Sequence, residues 1–257
     1  MPRGYQPGAP GHVLLTGASS GIGAALARHY AAPGVRLSLT ARDPARLASV
    51  AAACRARGAD VAAAPGMDVT ERGPLTAWIE AADDAQPVDL VIANAGVSGG
   101  SSGAKSAATP ILATNVLGVV NTVEPLVPRM AARGRGQVAI VASLAGFFGT
   151  AQAPAYGASK AAVRVWGEGL RAKLRPAGVV VSTVCPGFVA TPLTAANRFR
   201  MPLLMPAEEA ARIVARGLAA GRARVAFPTA LYLAVRLAAA LPPDWAARLL
   251  RGQASKE

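Results

Sequence analysis

Short apolar runs alternate with amphipathic stretches along almost the whole chain. Val13-Leu14-Leu15-Thr16 is the first run, and further ones stand at 35–40, 60–64, 88–93, 137–142, 179–184 and 224–227. Runs of this length suit strands buried on both faces, as in a parallel sheet. The intervening pattern predicts helices over 24–30, 44–57, 70–84, 110–133, 154–175, 207–220 and 230–241. In the third, Leu75, Trp78 and Ile79 face inward; Pro125 and Pro128 bend the end of the fourth. Strands alternating with helices predict an α/β fold whose parallel strands are joined by right-handed crossovers. No repeat or linker breaks the succession, so one domain is expected over 1–257. Residues 1–10 lack the apolar stretch of a signal peptide and read as a loose leader. Residues 97–109, rich in Gly and Ser, read as a mobile loop after a strand end.

Composition supports this picture. Hydrophobic residues make up 52% and charged residues 16% of the chain, which suits an α/β protein with a buried sheet and argues against a disordered chain. The two cysteines, Cys54 and Cys185, have no metal-ligand spacing; they read as reduced thiols of a cytoplasmic protein, and no metal is expected. The net charge of +13 is uneven: residues 1–128 carry nine Lys/Arg against nine Asp/Glu, and residues 129–257 carry eighteen against five. Either a compositional bias (Arg outnumbers Lys 23 to 4) or an anionic partner accounts for this. No nucleic-acid-binding signature accompanies the charge, so nucleic acid is not expected as a partner.

Candidate chemistry sits at the strand ends. The first strand runs into Gly17-Ala-Ser-Ser-Gly21-Ile-Gly23 and then a helix. That order lets backbone approach a pyrophosphate at a helix N-terminus, although glycine turns also close ordinary βα units. After the second strand comes Ala41-Arg42-Asp43, where a dinucleotide-binding unit reads the adenosine ribose. Ala41 stands where an acid would accept from a ribose hydroxyl, and Arg42 offers a fork for a phosphate, favouring NADP(H) over NAD(H). Asp43-Pro44 reads as the N-cap and first residue of the next helix. Ser143 closes the fifth strand, and Tyr156 and Lys160 follow four apart on one helix face. A hydroxyl, a phenol and an ammonium so placed can handle a proton at a carbonyl or alcohol oxygen.

These pieces, with Asp68-Val69, Asn94-Ala95-Gly96, Asn115 and Pro186-Gly-Phe-Val-Ala-Thr191, resemble the short-chain dehydrogenase/reductase family in order and spacing over nearly the whole chain. The resemblance implies a Rossmann-like, doubly wound parallel sheet of about seven strands with helices on both faces. It implies hydride transfer between a nicotinamide cofactor and a carbonyl or alcohol, with a tetrad of Asn115, Ser143, Tyr156 and Lys160. Tyr156 would be the general acid or base, Lys160 would favour its phenolate and hold the nicotinamide ribose, Ser143 would bond the substrate oxygen, and Asn115 would position a relay water. By the same resemblance Gly17, Ser19, Ser20, Gly21, Ile22 and Gly23 line the pyrophosphate, Arg42 the 2′-phosphate, Asp68 and Val69 the adenine. Asn94, Ala95 and Gly96 lie on the adenosine ribose side, and Pro186, Gly187, Val189 and Thr191 beside the carboxamide.

Leu144, Phe147, Phe148, Phe188 and Leu193 lie in segments expected to face the substrate, and residues 188–206 read as a lid. Their apolar character points to an apolar small-molecule substrate. Within the C-terminal apolar segment 225–251, the run Val225 to Leu241 is too short, and too broken by Pro228 and Arg236, to span a bilayer. A subunit interface, in a homodimer or homotetramer, or an anionic membrane surface would each cover it. Two other readings stand beside a soluble-substrate reductase: the same chemistry on a lipid ketone at a membrane surface, and a dinucleotide-binding protein without turnover.

Overall fold

Five consecutive buried residues make β1 (His12–Thr16), and the sheet extends to either side of it. The structure, a computed structural model, describes residues 9–98, 108–195, 197, 200–242 and 245. The leader, the 97–109 loop, the lid and the C-terminal segment therefore fall partly outside the described residues. After β1 come α1 (Gly21–Tyr30), β2 (Arg36–Ala41), α2 (Pro44–Arg55), β3 (Asp60–Pro65), α3 (Arg72–Ala85) and β4 (Leu90–Ala93). Then follow α4 (Ala108–Arg133), β5 (Gly136–Val141), α5 (Pro154–Leu174) and β6 (Val179–Pro186). The chain goes on through β7 (Val189–Ala190), α6 (Pro192–Ala195), β8 (Met205–Pro206), α7 (Ala207–Ala219), β9 (Arg224–Phe227) and α8 (Thr229–Ala239).

The main sheet has seven strands in the order β3-β2-β1-β4-β5-β6-β9, all parallel. Strand side chains alternate between two cores. Val13 and Leu15 join Leu90 and Ile92 in the core under α1, α2 and α7. Leu14 joins Val91, Val138 and Ile140 in the core under α3, α4 and α5. Each fully buried leucine or isoleucine here contributes roughly 1.5–3 kcal/mol. This is the Rossmann-like arrangement that the motifs imply. The order reverses between β1 and β4, which opens a crevice at the carboxyl ends of the strands.

α2 starts as its sequence predicts: the Asp43 carboxylate accepts from the Arg46 N–H at 2.9 Å, with Pro44 at the first helical position. α4 departs from expectation. It begins at Ala108 and widens into a π turn over Ala113–Leu117, which contains Asn115. By length and composition it could cross a membrane, but Val119, Val123, Leu126 and Met130 are buried against the sheet. Its apolarity is that of a core helix.

Asp83 of α3 ties this layer together. Its buried carboxylate accepts from Arg133 at 2.7 Å and Arg129 at 3.1 Å, both on α4, and from the Val88 N–H at 2.8 Å. Burial works to raise this carboxyl, but the Arg133 and Val88 hydrogen bonds outweigh it and hold it below the ordinary carboxylate range. An ionised Asp83 therefore stabilises the fold above that range, and the contribution is lost as pH falls through its lowered pKa. Asp83→Ala should cost about 3–5 kcal/mol at neutral pH, because it takes the buried carboxylate from Arg133 and from the Val88 N–H, while Arg129 keeps its pair with Asp84 at 2.6 Å. Urea midpoints check this, and the gap between variant and parent should shrink in acid.

Candidate active site

The turn from β1 to α1 is held where backbone meets backbone. Gly17 has φ 69°, and a Cβ there would meet Ala95 Cα at 2.8 Å. Asn94 Nδ2 donates to the Thr16 and Gly17 carbonyls at 3.2 and 3.1 Å, stitching the end of β4 to the turn. Ser20 stands at the N-cap of α1 without making a side-chain capping bond. The first turn of α1 thus faces the crevice with the positive end of its dipole, a setting suited to an anion.

The crevice is a cavity of about 820 Å³. Gly17, Ser19, Ser20, Gly21, Ile22 and Gly23 line it beside β1, and Asp68, Val69, Asn94, Ala95 and Gly96 line it after β3 and β4. Ser143, Tyr156, Lys160, Pro186, Gly187, Val189 and Thr191 complete the side toward β6. At the β2 end Ala41 is buried in the core, while Arg42 is exposed, lines the cavity and has no ion-pair partner among the described residues. Asp43 beside it is taken up by α2, since its carboxylate also pairs with Arg46 Nε at 3.2 Å. Arg46 lines the cavity as well, a second cation that the motifs did not mark. Its position, four residues after Arg42 in the first turn of a capped helix, was the available signal.

Ser143 stands two residues past β5 in extended backbone; its Oγ accepts from the Ala145 N–H at 3.1 Å and lies 3.4 Å from the Pro186 carbonyl. Lys160 is buried, donates from Nζ to the Val141 carbonyl at 2.9 Å, and lies 5.8 Å from the centre of the Tyr156 ring. Burial pushes the Lys160 ammonium down to about 8. Burial pushes the Tyr156 phenol up, and a hydrogen bond from Ser143 works the other way. Tyr156 therefore holds its proton at neutral pH and is set up as an acid, with a hydroxyl and a cation beside it.

Asn115 lies behind this wall, fully buried and outside the cavity lining. Its Oδ1 accepts from the Val97 N–H at 2.8 Å, and its Nδ2 donates to the Val97 carbonyl at 3.0 Å and Ser159 Oγ at 2.9 Å. Both amide hydrogens are spent on bracing the chain at Val97 to α5, one residue from Lys160.

The expected substrate wall is placed differently. Of its five residues only Leu193 lines the cavity. Leu144 is buried in the core. The Phe147 ring is drawn the other way, with the Arg164 guanidinium 4.5 Å and the Arg224 guanidinium 5.3 Å from its centre and Tyr232 edge-on at 5.6 Å. Cation–π attraction and burial under α8 hold it there. Phe148 and Phe188 are also absent from the lining. Val97, Pro110, Ile111 and Pro192, which no motif marked, supply the apolar lining along with Leu193.

Other titratable groups serve the fold. His12 is buried between the Gln86 carbonyl at 2.7 Å and Ser38 Oγ at 2.9 Å. Burial pushes the Cys185 thiol up to about 12, so it is no nucleophile at neutral pH.

The family described as short chain dehydrogenase matches residues 11–201. An uncharacterized oxidoreductase of Myxococcus xanthus is 42% identical over 246 residues, covering 93% of this chain and 96% of the relative. A short-chain dehydrogenase from Sphingobium yanoikuyae solved with NADPH superposes with a TM-score of 0.76 at 29% identity, over 95% of this chain and 96% of that one. A short chain dehydrogenase/reductase from Burkholderia phymatum solved with NAD superposes with a TM-score of 0.79 at 27% identity, over 96% and 97%.

The turn after Ser143 lies directly on α5. Arg164 Nε reaches the Gly146 carbonyl at 3.3 Å, and a Cβ on Gly146 would meet the Lys160 carbonyl carbon at 2.6 Å. Gly146→Ala must therefore push Ser143 and Lys160 apart. A displacement on the order of 1 Å costs roughly 10²-fold in rate. Turnover should fall by that order while cofactor affinity, read by fluorescence titration, stays near that of the parent.

Proposed function

The chain belongs to the short-chain dehydrogenase family and is a nicotinamide-dependent oxidoreductase; from that premise we propose that it is a carbonyl reductase, interconverting an apolar ketone or aldehyde and its alcohol with NADP(H) preferred over NAD(H). The observation that carries the reading is the meeting of Ser143, Tyr156 and Lys160 on one wall of a cavity whose other walls suit a dinucleotide. The fit to such a cofactor rests on the Gly17 turn, whose close approach to Ala95 leaves no room for a side chain, and on the open first turn of α1. Gly17 to Gly23 would hold the pyrophosphate, Arg42 and Arg46 a 2′-phosphate, and Lys160 the nicotinamide ribose. A bound nicotinamide dinucleotide supplies or accepts the hydride.

The residues of the chain manage the proton. In reduction Tyr156 gives its phenolic proton to the carbonyl oxygen, and Ser143 Oγ donates a hydrogen bond to the same oxygen. The nearby Lys160 ammonium stabilises the phenolate left behind. In oxidation the phenolate takes the alcohol proton back. Val97, Ile111 and Leu193 give the substrate an apolar wall and keep water from the reacting carbon. Two features support further parts of the reading. Leu112, Leu117 and Val165, exposed on α4 and α5, offer apolar surface for a homo-oligomer. The two free, buried cysteines suit a cytoplasmic protein.

Tyr156→Phe tests the chemistry. NADPH oxidation with reactive ketones should fall about 10²–10⁴-fold, while the dissociation constant for NADPH stays unchanged; retained turnover would remove the assignment. The cofactor preference has its own test. Placing Asp at position 41 and Ser at position 42 removes a charge-assisted bond of about 1.5–3 kcal/mol. The ratio of kcat/KM for NADPH over NADH should then drop by roughly tenfold or more, and a parent enzyme that already favours NADH would refute the preference.

A further inference from the structure

Glu168 gathers two arginines that the proton chemistry does not use. It stands on α5 eight residues after Lys160, and Lys160, Arg164 and Glu168, each four apart, share one helix face. Its Oε1 accepts from Arg164 Nη1 at 3.1 Å and from Arg224 Nη2 of β9. Both guanidiniums lie on the ring of Phe147, 4.5 and 5.3 Å from its centre. Arg224 also donates to Tyr232 Oη of α8 at 2.9 Å, so one carboxylate joins α5, β9 and α8. Burial works to raise the Glu168 carboxyl, but the hydrogen bonds from Arg224 and Arg164 outweigh it and keep the group ionised.

Two like charges drawn to one aromatic ring repel each other, and the carboxylate between them lets both stay. Arg164 carries the arrangement to the site, because its Nε donates to the Gly146 carbonyl at 3.3 Å. Within that turn the Gly146 N–H donates to the Ser143 carbonyl at 3.1 Å and the Phe147 N–H to the Leu144 carbonyl at 3.2 Å. The turn therefore hangs between Ser143 at one end and Phe147 at the other. Its inner side has no slack against α5: a Cβ on Gly157 would meet the Ala145 carbonyl oxygen at 3.1 Å, as one on Gly146 would meet Lys160. Close approach holds the turn from inside, and the two arginines hold it from outside.

We propose that Glu168 is a positioning residue of the reaction: by keeping Arg164 and Arg224 on Phe147 it fixes the turn that begins at Ser143 against the helix that bears Tyr156 and Lys160. Glu168 lies outside the cavity lining and acts only through the turn. The effect on rate rests on the reductase reading; the clamping of the turn does not.

Glu168→Gln keeps the shape of the side chain and removes its charge. With 2-octanone and NADPH, kcat should fall about tenfold while the NADPH dissociation constant stays that of the parent. Oxidation of 2-octanol with NADP⁺ gives a readout that looser packing alone would not move. There the Tyr156 phenolate is the base, with Ser143 and the Lys160 ammonium beside it; burial raises the phenol and the Ser143 hydrogen bond lowers it. A displaced Ser143 no longer lowers it, so the pH profile of kcat should move to higher pH. Loss of a negative charge acting directly on the phenol would move the profile the other way, and the twelve residues of helix between them, about 18 Å, exceed the screening length at physiological salt. Amide exchange of residues 144–148, followed by mass spectrometry, should be about tenfold faster in the variant. A variant that melts lower yet keeps the parent's kcat, pH profile and exchange at 144–148 would overturn the proposal, and so would a profile that moves to lower pH. Should Glu168→Gln fail to fold, Arg164→Lys keeps the cation, loses the Gly146 bond and carries the same expectations. A parent that reduces no ketone would remove the reductase reading. Exchange at 144–148 then decides the clamp by itself: faster in the variant supports it, equal overturns it.

Discussion

All seven strands of the main sheet run in one direction, and this constraint decides where chemistry can occur. Parallel strands place every strand end, with the loop that follows, along one edge. The reversal of order between β1 and β4 then parts those loops into a crevice. Residues from positions 17 to 194 meet there because most of them follow a strand or lie in the first turns of the next helix. A parallel sheet also needs helices on both faces, so its interior is dry on each side. That is why the side chains entering the crevice from below are strongly desolvated.

Desolvation sets the protonation states. Lys160 loses solvent on entering the wall, its pKa falls to about 8, and its ammonium is held by one backbone carbonyl. Tyr156 is pushed the other way and keeps its proton. A proton donor and a cation in one dry wall form a site that acts on an oxygen needing a proton. The geometry is maintained by close approaches at which a side chain would not fit, at Gly17 under Ala95 and at Gly146 on Lys160.

The excess of arginine in the second half has a partly structural explanation. Arg171 of α5 donates to the Val181 and Gly221 carbonyls at 2.6 and 3.1 Å, and Arg133 of α4 reaches the Val88 carbonyl while pairing with Asp83. Arg224 joins Glu168 to Tyr232 and stacks on Phe147. Several donors in a rigid fork suit these bridges between a helix and a strand end, which the three donors of a lysine serve less well.

Sequence by itself determined the succession of strands and helices, the parallel sheet, the Asp43 cap and the segments that border the crevice. These follow from local rules: apolar periodicity, glycine turns and helix caps act over a few residues. Tertiary structure alone decided which way side chains turn. Phe147 looked like substrate wall beside Ser143, but two arginines from α5 and β9, seventeen and seventy-seven residues later in the chain, draw it away from the cavity. The side chain of Asn115 braces Val97 to Ser159 from within a π turn that its sequence does not announce. The apolar C-terminal helix was legible as apolar, while its division into a packed side and a bare one was not. In each case the deciding contact is between residues distant in sequence, and such contacts leave no local pattern to read.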